Sequence, residues 1–248
     1  MTLNSHKIKD STFSVNVLSR LNGKIALRVN GAGKPKSRFS KFNEPGYLCE
    51  GIVYLSKESS SIILTNADII EEFNMLRSCM EGLNCISYIT NFISGLFPEK
   101  MKIEGFLENT TDFFYLKECV KIEKINMFRF FTLHKLGYIP DFSVCGNCGG
   151  RIKKSAYFNI NENNVYCEIC RTGYSNNYFV FEADFLIYYK KLISYLVQKN
   201  ILDFFQSNNN IYQKNLEKFI DLFIISLNKN DIKSYGLLKS IDSELQVE

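Results

Sequence analysis

No part of the chain restricts its folding more than "VCGNCGGRIKKSAYFNINENNVYCEIC", Val144–Cys170. It carries Cys145, Cys148, Cys167 and Cys170 in a C-x2-C-x18-C-x2-C arrangement. Each C-x2-C pair forms a tight knuckle that presents two thiolates, and a hairpin between the pairs brings the knuckles together around one tetrahedral zinc ion. Gly146 and Gly149 suit the knuckle turns, and Ala156–Ile160 and Val165–Cys167 suit the two ribbon strands. Four thiolates close the coordination shell and leave no position for a catalytic water, so the metal is expected to be structural. Two separate redox-active C-x-x-C motifs are the alternative. That chemistry goes with a thioredoxin-like βαβ pattern, which the flanking sequence lacks. The hairpin also holds Arg151, Lys153 and Lys154, a small basic cluster that a solvated surface explains equally well. The remaining cysteines, Cys49, Cys79, Cys85 and Cys119, read as reduced, small apolar residues.

A second feature is electrostatic. The net charge is only +4, yet Ser11–Asn43 contains Arg20, Lys24, Arg28, Lys34, Lys36, Arg38 and Lys41 and no carboxylate. Such a block is the footprint of a polyanion partner. Within it, "VNGAGKPKSRF" (Val29–Phe39) superficially suggests the phosphate loop of a nucleotide-using enzyme. The template G-x-x-x-x-G-K-[S/T] is not met, because Arg28 stands where the first glycine belongs and Pro35 follows Lys34. Proline supplies neither hydroxyl nor N–H and disfavours helix at the residue before it. The loop therefore suits the repeated phosphates of a strand better than a single nucleotide.

Around the block the sequence reads as β-structure. Phe13, Val15 and Val17 alternate with polar residues, as do Ile25, Leu27 and Val29, and Asn22-Gly23 between them signals a hairpin. With Ile25, Leu27 and Val29 facing a core, Lys24 and Arg28 face outward. "GYLCEGIVYLS", interrupted by Gly51, and "SIILT" read as further strands, with a shorter one at Arg38–Phe42. Five short strands are what a partly open OB-type barrel requires. The period changes at "TNADIIEEF", where Thr65 and Asp68 resemble a helix capping box. Helical patterns follow in "MEGLNCISYITNFISGLFP", in the stretch from Thr111 to Phe142, and beyond Tyr178 in two segments parted by "QSNNN". The expected fold is α+β: an N-terminal five-stranded OB-type β-barrel over 1–66, then a helical domain over 67–248 with an inserted four-cysteine zinc ribbon at 144–172.

Catalytic candidates are few. His6 lies in a polar terminus expected to be mobile, and His134 lies in a helical pattern; neither joins a Ser/His/Asp arrangement or a carboxylate pair. Phe39, Phe42 and Tyr47 near the basic block suit base stacking, but core burial explains each one as well. No apolar run reaches membrane-spanning length, and "MTLNSHKIKD" has no hydrophobic signal region, so the expectation is a cytoplasmic protein without a membrane partner.

Three stretches carry a resemblance to a known family: "GKIALRVNGAGKPKSRF", "FRFFTLHKLGYIPDFSVCGNCG" and the second knuckle "YCEIC", with "KSYGLLKS" as a weaker echo. They resemble the RecO DNA-repair and recombination mediator proteins. The resemblance implies a non-enzymatic protein that binds single- and double-stranded DNA and anneals complementary strands. Together with RecR, it would help to load RecA onto DNA coated by single-strand-binding protein. It places Lys34, Lys36 and Arg38 on the family's DNA-contacting loop and the four cysteines on its zinc site. It also implies docking of the single-strand-binding protein's C-terminal tail in the helical domain. Two other functions compete: a protein-interaction adaptor built on the zinc ribbon, with incidental DNA contact, and a zinc-dependent nucleic-acid enzyme. The carboxylate-free block argues against the first, and the closed thiolate shell against the second.

Overall fold

The structure, a computed structural model, describes residues 1–57, 60–116, 118–171, 178–198, 201–206 and 210–226. The motif at 233–240, the centre of the "QSNNN" loop and Thr172 at the end of the expected ribbon lie outside them. The chain divides into two compact units at Ile122/Glu123.

The first unit opens with five strands: β1 (Thr2–Lys9), β2 (Thr12–Ser19), β3 (Gly23–Asn30), β4 (Leu48–Leu55) and β5 (Ile62–Glu71). They form one sheet in the order β1-β2-β3-β5-β4. The β3–β5 pairing is parallel, at Leu27↔Ile62 and Arg28↔Ile63, and the other pairings are antiparallel. This is the expected OB-type arrangement, but among the described residues the barrel is not closed by a β1–β4 ladder. One corner is tied, where the Thr2 amide donates to the Tyr47 carbonyl at 2.9 Å and the Gly46 amide to the Thr2 carbonyl at 2.9 Å. The alternation of β3 is as expected: Ile25, Leu27 and Val29 are buried with Val15, Val17, Phe39, Phe42 and Leu64, whereas Ala26, Arg28 and Asn30 are exposed. Gly23 enters β3 at φ +65 from a three-residue turn, and a Cβ there would stand 1.9 Å from the Met101 carbonyl oxygen.

Two expectations about this unit need correction. The fifth strand is β1 rather than Arg38–Phe42, which forms part of a 3-10 turn at Ser40–Asn43. The polar terminus is therefore an edge strand, with His6 paired to Ser14. Edge strands tolerate charge because one face and one edge meet water, and that hid β1 from a hydrophobic pattern. Nor do the residues after Thr65 begin a helix. Asn66, Ala67 and Asp68 continue β5 opposite Ile52, Gly51 and Glu50. The Thr65 hydroxyl donates to the Ile52 carbonyl across the sheet (2.9 Å) instead of capping a helix. Pairing with β4 overrode the local signal. The strand ends before Phe73, at φ +54, and is followed by α1 (Asn74–Arg77), α2 (Met80–Leu96) and α3 (Phe106–Phe114).

The second unit contains α4 (Ile122–Lys135), the strands β6 (Ala156–Asn159), β7 (Asn164–Tyr166) and β8 (Tyr178–Phe181), and the helices α5 (Ala183–Val197), α6 (Ile201–Gln206) and α7 (Asn210–Ser226). The long helical pattern expected from Thr111 to Phe142 is thus broken between α3 and α4. β6 and β7 are the expected ribbon strands. β8, which pairs with β6, occupies a stretch that reads as helical in sequence. The core is aromatic, with Phe142, Phe158, Phe181, Phe185, Tyr189 and Phe219 in ring contact. Arg129 is fully buried, and its guanidinium meets the Asp221 carboxylate at 2.7 Å and Asn126 Oδ1 at 3.1 Å, so the charge is compensated.

Candidate metal centre and nucleic-acid interface

The two knuckles are built by short backbone hydrogen bonds. The Gly149 amide donates to the Cys145 carbonyl (2.9 Å) and the Cys145 amide to the Gly150 carbonyl (2.9 Å). The Cys170 and Arg171 amides both reach the Cys167 carbonyl. Gly149 adopts φ +68, which favours glycine, and a Cβ on Gly146 would stand 1.9 Å from Asn164 Oδ1, so a larger residue there would displace the Asn164 side chain. The β6–β7 hairpin then brings the pairs together, with the Gly146 amide on the Val165 carbonyl at 2.8 Å. The sulfurs of Cys145, Cys148, Cys167 and Cys170 all lie within 4.8 Å of one another, and those of Cys148 and Cys167 are 4.0 Å apart.

These four residues are placed to hold a metal ion. Sulfurs about 2.3 Å from a common tetrahedral centre stand roughly 3.8 Å apart, close to the spacing here. The electrostatics agree. Burial raises the Cys145 thiol, but the amides of Cys148, Cys167 and Asn147 outweigh it and lower the thiol to about 6. Asn147 favours the Cys170 thiolate, yet the neighbouring sulfurs of Cys148, Cys167 and Cys145 push that thiol up to about 12. A site that favours one thiolate and opposes the next is completed by a divalent cation, and an all-sulfur donor set suits zinc.

The basic block is less uniform than its sequence. β3 delivers the chain into a loop of successive turns, with the Lys34 amide on the Gly31 carbonyl, Ser37 on Lys34 and Ser40 on Ser37, each at 3.0 Å. Buried Ala32, Phe39 and Phe42 anchor it, and the Gly33 amide ties it to the Ser11 carbonyl at 3.1 Å. Lys34 and Lys36 stand exposed on this compact support. Arg28 is exposed on β3, with its Nε 3.3 Å from Asn30 Oδ1. Arg38 is fixed by bonds to Asn66 Oδ1 (3.0 Å) and the Thr65 carbonyl (2.6 Å) and lies over the Phe39 ring at 4.6 Å. Among the described residues none of these four makes an ion pair.

The other three cations are engaged. Lys41 pairs with Glu72 at 2.6 Å, and this bond raises its pKa. Arg20 pairs with Glu108 at 2.6 Å. The Lys24 ammonium donates to the Ser94 carbonyl (2.8 Å) in the last turn of α2, where the helix dipole favours a cation. Phe39, Phe42 and Tyr47 are all buried, so they serve the core rather than base stacking. Sequence reasoning passed over Lys100, which follows α2 and lines one groove with Lys24 and Arg28. Only the fold brings it there. Of the histidines, His6 is exposed on β1 and His134 is half-buried near the end of α4. No helix among the described residues is long and apolar enough to cross a membrane.

Comparison with known proteins gives the chain's family. Residues 1–73 match the family model described as "Recombination protein O N terminal" and residues 77–180 that described as "Recombination protein O C terminal". Curated relatives, each called DNA repair protein RecO, are similar. The Clostridium novyi protein is 31% identical over 155 residues, 61% of this chain and 60% of the relative. The Acetivibrio thermocellus protein is 23% identical over 159 residues (63% and 62%), and that of Thermodesulfovibrio yellowstonii 27% over 162 residues (64% of each). Each of these matches spans less than two thirds of the relative's own length. With both halves of the family pattern present in order across most of its length, the chain belongs to the RecO family.

Proposed function

We propose that the chain is a non-enzymatic DNA-binding mediator of recombinational repair in the cytoplasm, associated with the nucleoid. It binds single- and double-stranded DNA, anneals complementary single strands and, with RecR, helps to load RecA onto DNA coated by single-strand-binding protein. Residues 1–66 act as the OB-type nucleic-acid module, and residues 67–248 as a helical domain whose ribbon, 144–172, holds one structural zinc ion. Lys34, Lys36 and Arg38, with Arg28 beside them, make the principal phosphate contacts, and Lys24 and Lys41 shape the surrounding field. The observation that carries this reading is the pair Lys34 and Lys36, exposed on a compact loop without a carboxylate partner among the described residues. Cations so placed are open to the phosphates of any sequence, as a general mediator requires.

For the tail of single-strand-binding protein, we place docking at a cavity of about 300 Å³ lined by His134, Pro140, Phe142, Lys190 and Ile193. To a C-terminal carboxylate and an apolar side chain it offers the Lys190 ammonium beside an apolar wall, with the Asp141 carboxylate also on its lining. An adaptor role is favoured by one observation, the exposure of Ile169 on the second knuckle, 93% open to solvent. Fluorescence anisotropy of a labelled single strand at two salt concentrations tests the main reading. Wild type should bind in a salt-sensitive way, and the Lys34/Lys36/Arg38→Ala variant should lose most of that binding. Equal, weak binding by both proteins, with capture of repair proteins surviving nuclease treatment, would favour the adaptor.

A further inference from the structure

The fold brings together two of the four cysteines that lie outside the knuckles. Cys85 is on α2 and Cys119 in the turns between α3 and α4, and both side chains are fully buried in the first unit. The Cys85 thiol lies 3.5 Å from the Cys119 carbonyl oxygen and the Cys119 thiol 3.9 Å from the Phe114 carbonyl oxygen. The two thiols also hydrogen-bond to each other, and neither is in a disulfide. Packing alone asks only for two small apolar side chains here, but the two sulfurs are not equivalent. The hydrogen bond from Cys85 lowers the Cys119 thiol, and the amides of Cys119 and Val120 help it against the opposing effect of burial. The same hydrogen bond pushes the Cys85 thiol well up, with burial and the charges of Cys119 and Cys79 adding to it. A more acidic thiol beside a neutral one is the arrangement of a nucleophile and its resolving partner. Phe114, Leu116 and Val120, on either side of Cys119 in the chain, line an open groove of about 480 Å³ together with the exposed Cys79. A peroxide is little larger than water, so a small local opening of that wall admits it.

We propose that Cys85 and Cys119 are a reversible dithiol–disulfide pair that reacts with small peroxides. The Cys119 thiolate attacks one oxygen of hydrogen peroxide, the O–O bond breaks, and the leaving oxygen takes up a proton and departs as water. Cys119 is then a sulfenic acid. This step removes the negative charge that opposed ionisation of Cys85. The Cys85 sulfur attacks the sulfenic sulfur, the hydroxyl leaves with the Cys85 proton as a second water, and the S–S bond forms. In sum, two thiols give up two electrons and one hydrogen peroxide is reduced to two waters. A dithiol reverses the reaction by exchange. The bond ties α2 to the α3–α4 connection and closes a loop containing α3, which stabilises the folded unit by restricting the unfolded chain. In a compartment that keeps thiols reduced, it lasts only while peroxide does. The proposal is independent of the DNA-binding reading, since neither residue belongs to the basic block.

The test uses the full-length protein, treated with one equivalent of hydrogen peroxide, alkylated after unfolding and cleaved with trypsin. No lysine or arginine separates Cys79 from Cys85, so Cys79→Ser, a change at an exposed position, is the background for mapping. A peptide pair joining Cys85 to Cys119 should appear in most chains and disappear after dithiothreitol. In Cys79→Ser/Cys85→Ala, dimedone should trap a sulfenic acid on Cys119, whereas in Cys79→Ser/Cys119→Ala it should trap little on Cys85. Oxidised protein should melt about 5 °C or more above reduced protein, and dithiothreitol should abolish the difference. Recovery of Cys85 and Cys119 as free thiols while Cys79 or the knuckle cysteines oxidise would overturn the proposal. Trapping on Cys85 in place of Cys119 would overturn the assignment of the nucleophile, and a cross-link that leaves melting unchanged would overturn the stabilising role. The cross-link map requires neither alanine variant, so it stands as the test even where a buried substitution prevents folding.

Discussion

Neutralising Glu72 should strengthen DNA binding. Lys41 belongs to the carboxylate-free block in sequence, but in the fold Glu72 holds its ammonium at 2.6 Å. Both side chains are substantially exposed, 47% and 30%, so the pair contributes little to stability and Glu72→Gln should fold as wild type does. The substitution releases one cation beside the loop. Each phosphate neutralised on a single strand adds about 0.7 to the slope of log affinity against log salt. Four unpaired cations (Arg28, Lys34, Lys36 and Arg38), or five with Lys100, set a wild-type slope of about −2.8 to −3.5, against about −4.9 if all seven of the block took part. Glu72→Gln should steepen the slope by about 0.7 and raise affinity about fivefold near 0.1 M monovalent salt. Glu108→Gln is the control, since it releases Arg20 at the far end of β3. Eight strand residues put Arg20 about 25 Å from the loop, well beyond the screening length of about 10 Å at that salt. A salt series by anisotropy, with an oligonucleotide short enough to cover the loop alone, reads all three proteins. An equal gain in Glu108→Gln would mean that net charge and not position matters, and no change in Glu72→Gln would remove Lys41 from the interface.

Two further outcomes follow from the second unit. Purified protein should carry one zinc ion per chain by elemental analysis; removing it with a strong chelator, or by Cys167→Ser, should lower the melting temperature sharply, because metal binding at such sites supplies folding free energy on the order of 10 kcal/mol at pH 7. Unchanged melting after complete metal loss would refute the structural role. His134 has its pKa lowered, first by burial and then by Lys135, so the folded state binds its proton less readily than the unfolded chain does. Stability should therefore fall as pH drops below the ordinary histidine value of about 6.5, until the lowered folded pKa is passed. Denaturant titrations at neutral and mildly acidic pH should show this fall in wild type and less of it in His134→Gln.

Much of this was legible in the sequence, for identifiable reasons. The knuckle glycines and the C-x2-C spacing are local, and local geometry fixes them: Gly146 and Gly149 occupy positions where a side chain would clash or be strained. The alternation of β3 is legible because one face is buried and the other wet. Three features were not. β1 is polar along half its length because it lies at an edge. Residues 65–71 carry a helical signal that pairing with β4 overrides. β8 is four residues long, too short for its period to register before α5 begins. In each case the deciding influence is pairing with another strand, which the residues of the segment itself do not show.

The same limit applies to charge, with a functional consequence. A carboxylate-free run of seven cations suggests a tight electrostatic clamp, yet Glu72 and Glu108 come from distant segments to occupy two of them, and Lys24 turns to a helix end. What remains is a small set of open cations on a rigid support. At about fivefold each near 0.1 M salt, four or five such contacts give an electrostatic gain of only about 10³. A grip of that size forms quickly, ignores sequence and lets go when a complementary strand or another protein competes for the same phosphates. On the mediator reading release is as necessary as capture, and the engaged cations then tune the surface toward exchange rather than retention. If so, Glu72→Gln, which frees Lys41, should bind a single strand more tightly yet anneal it more slowly. Strand-annealing rates measured beside affinities decide the matter, for a rise in both would show that capture alone limits the reaction.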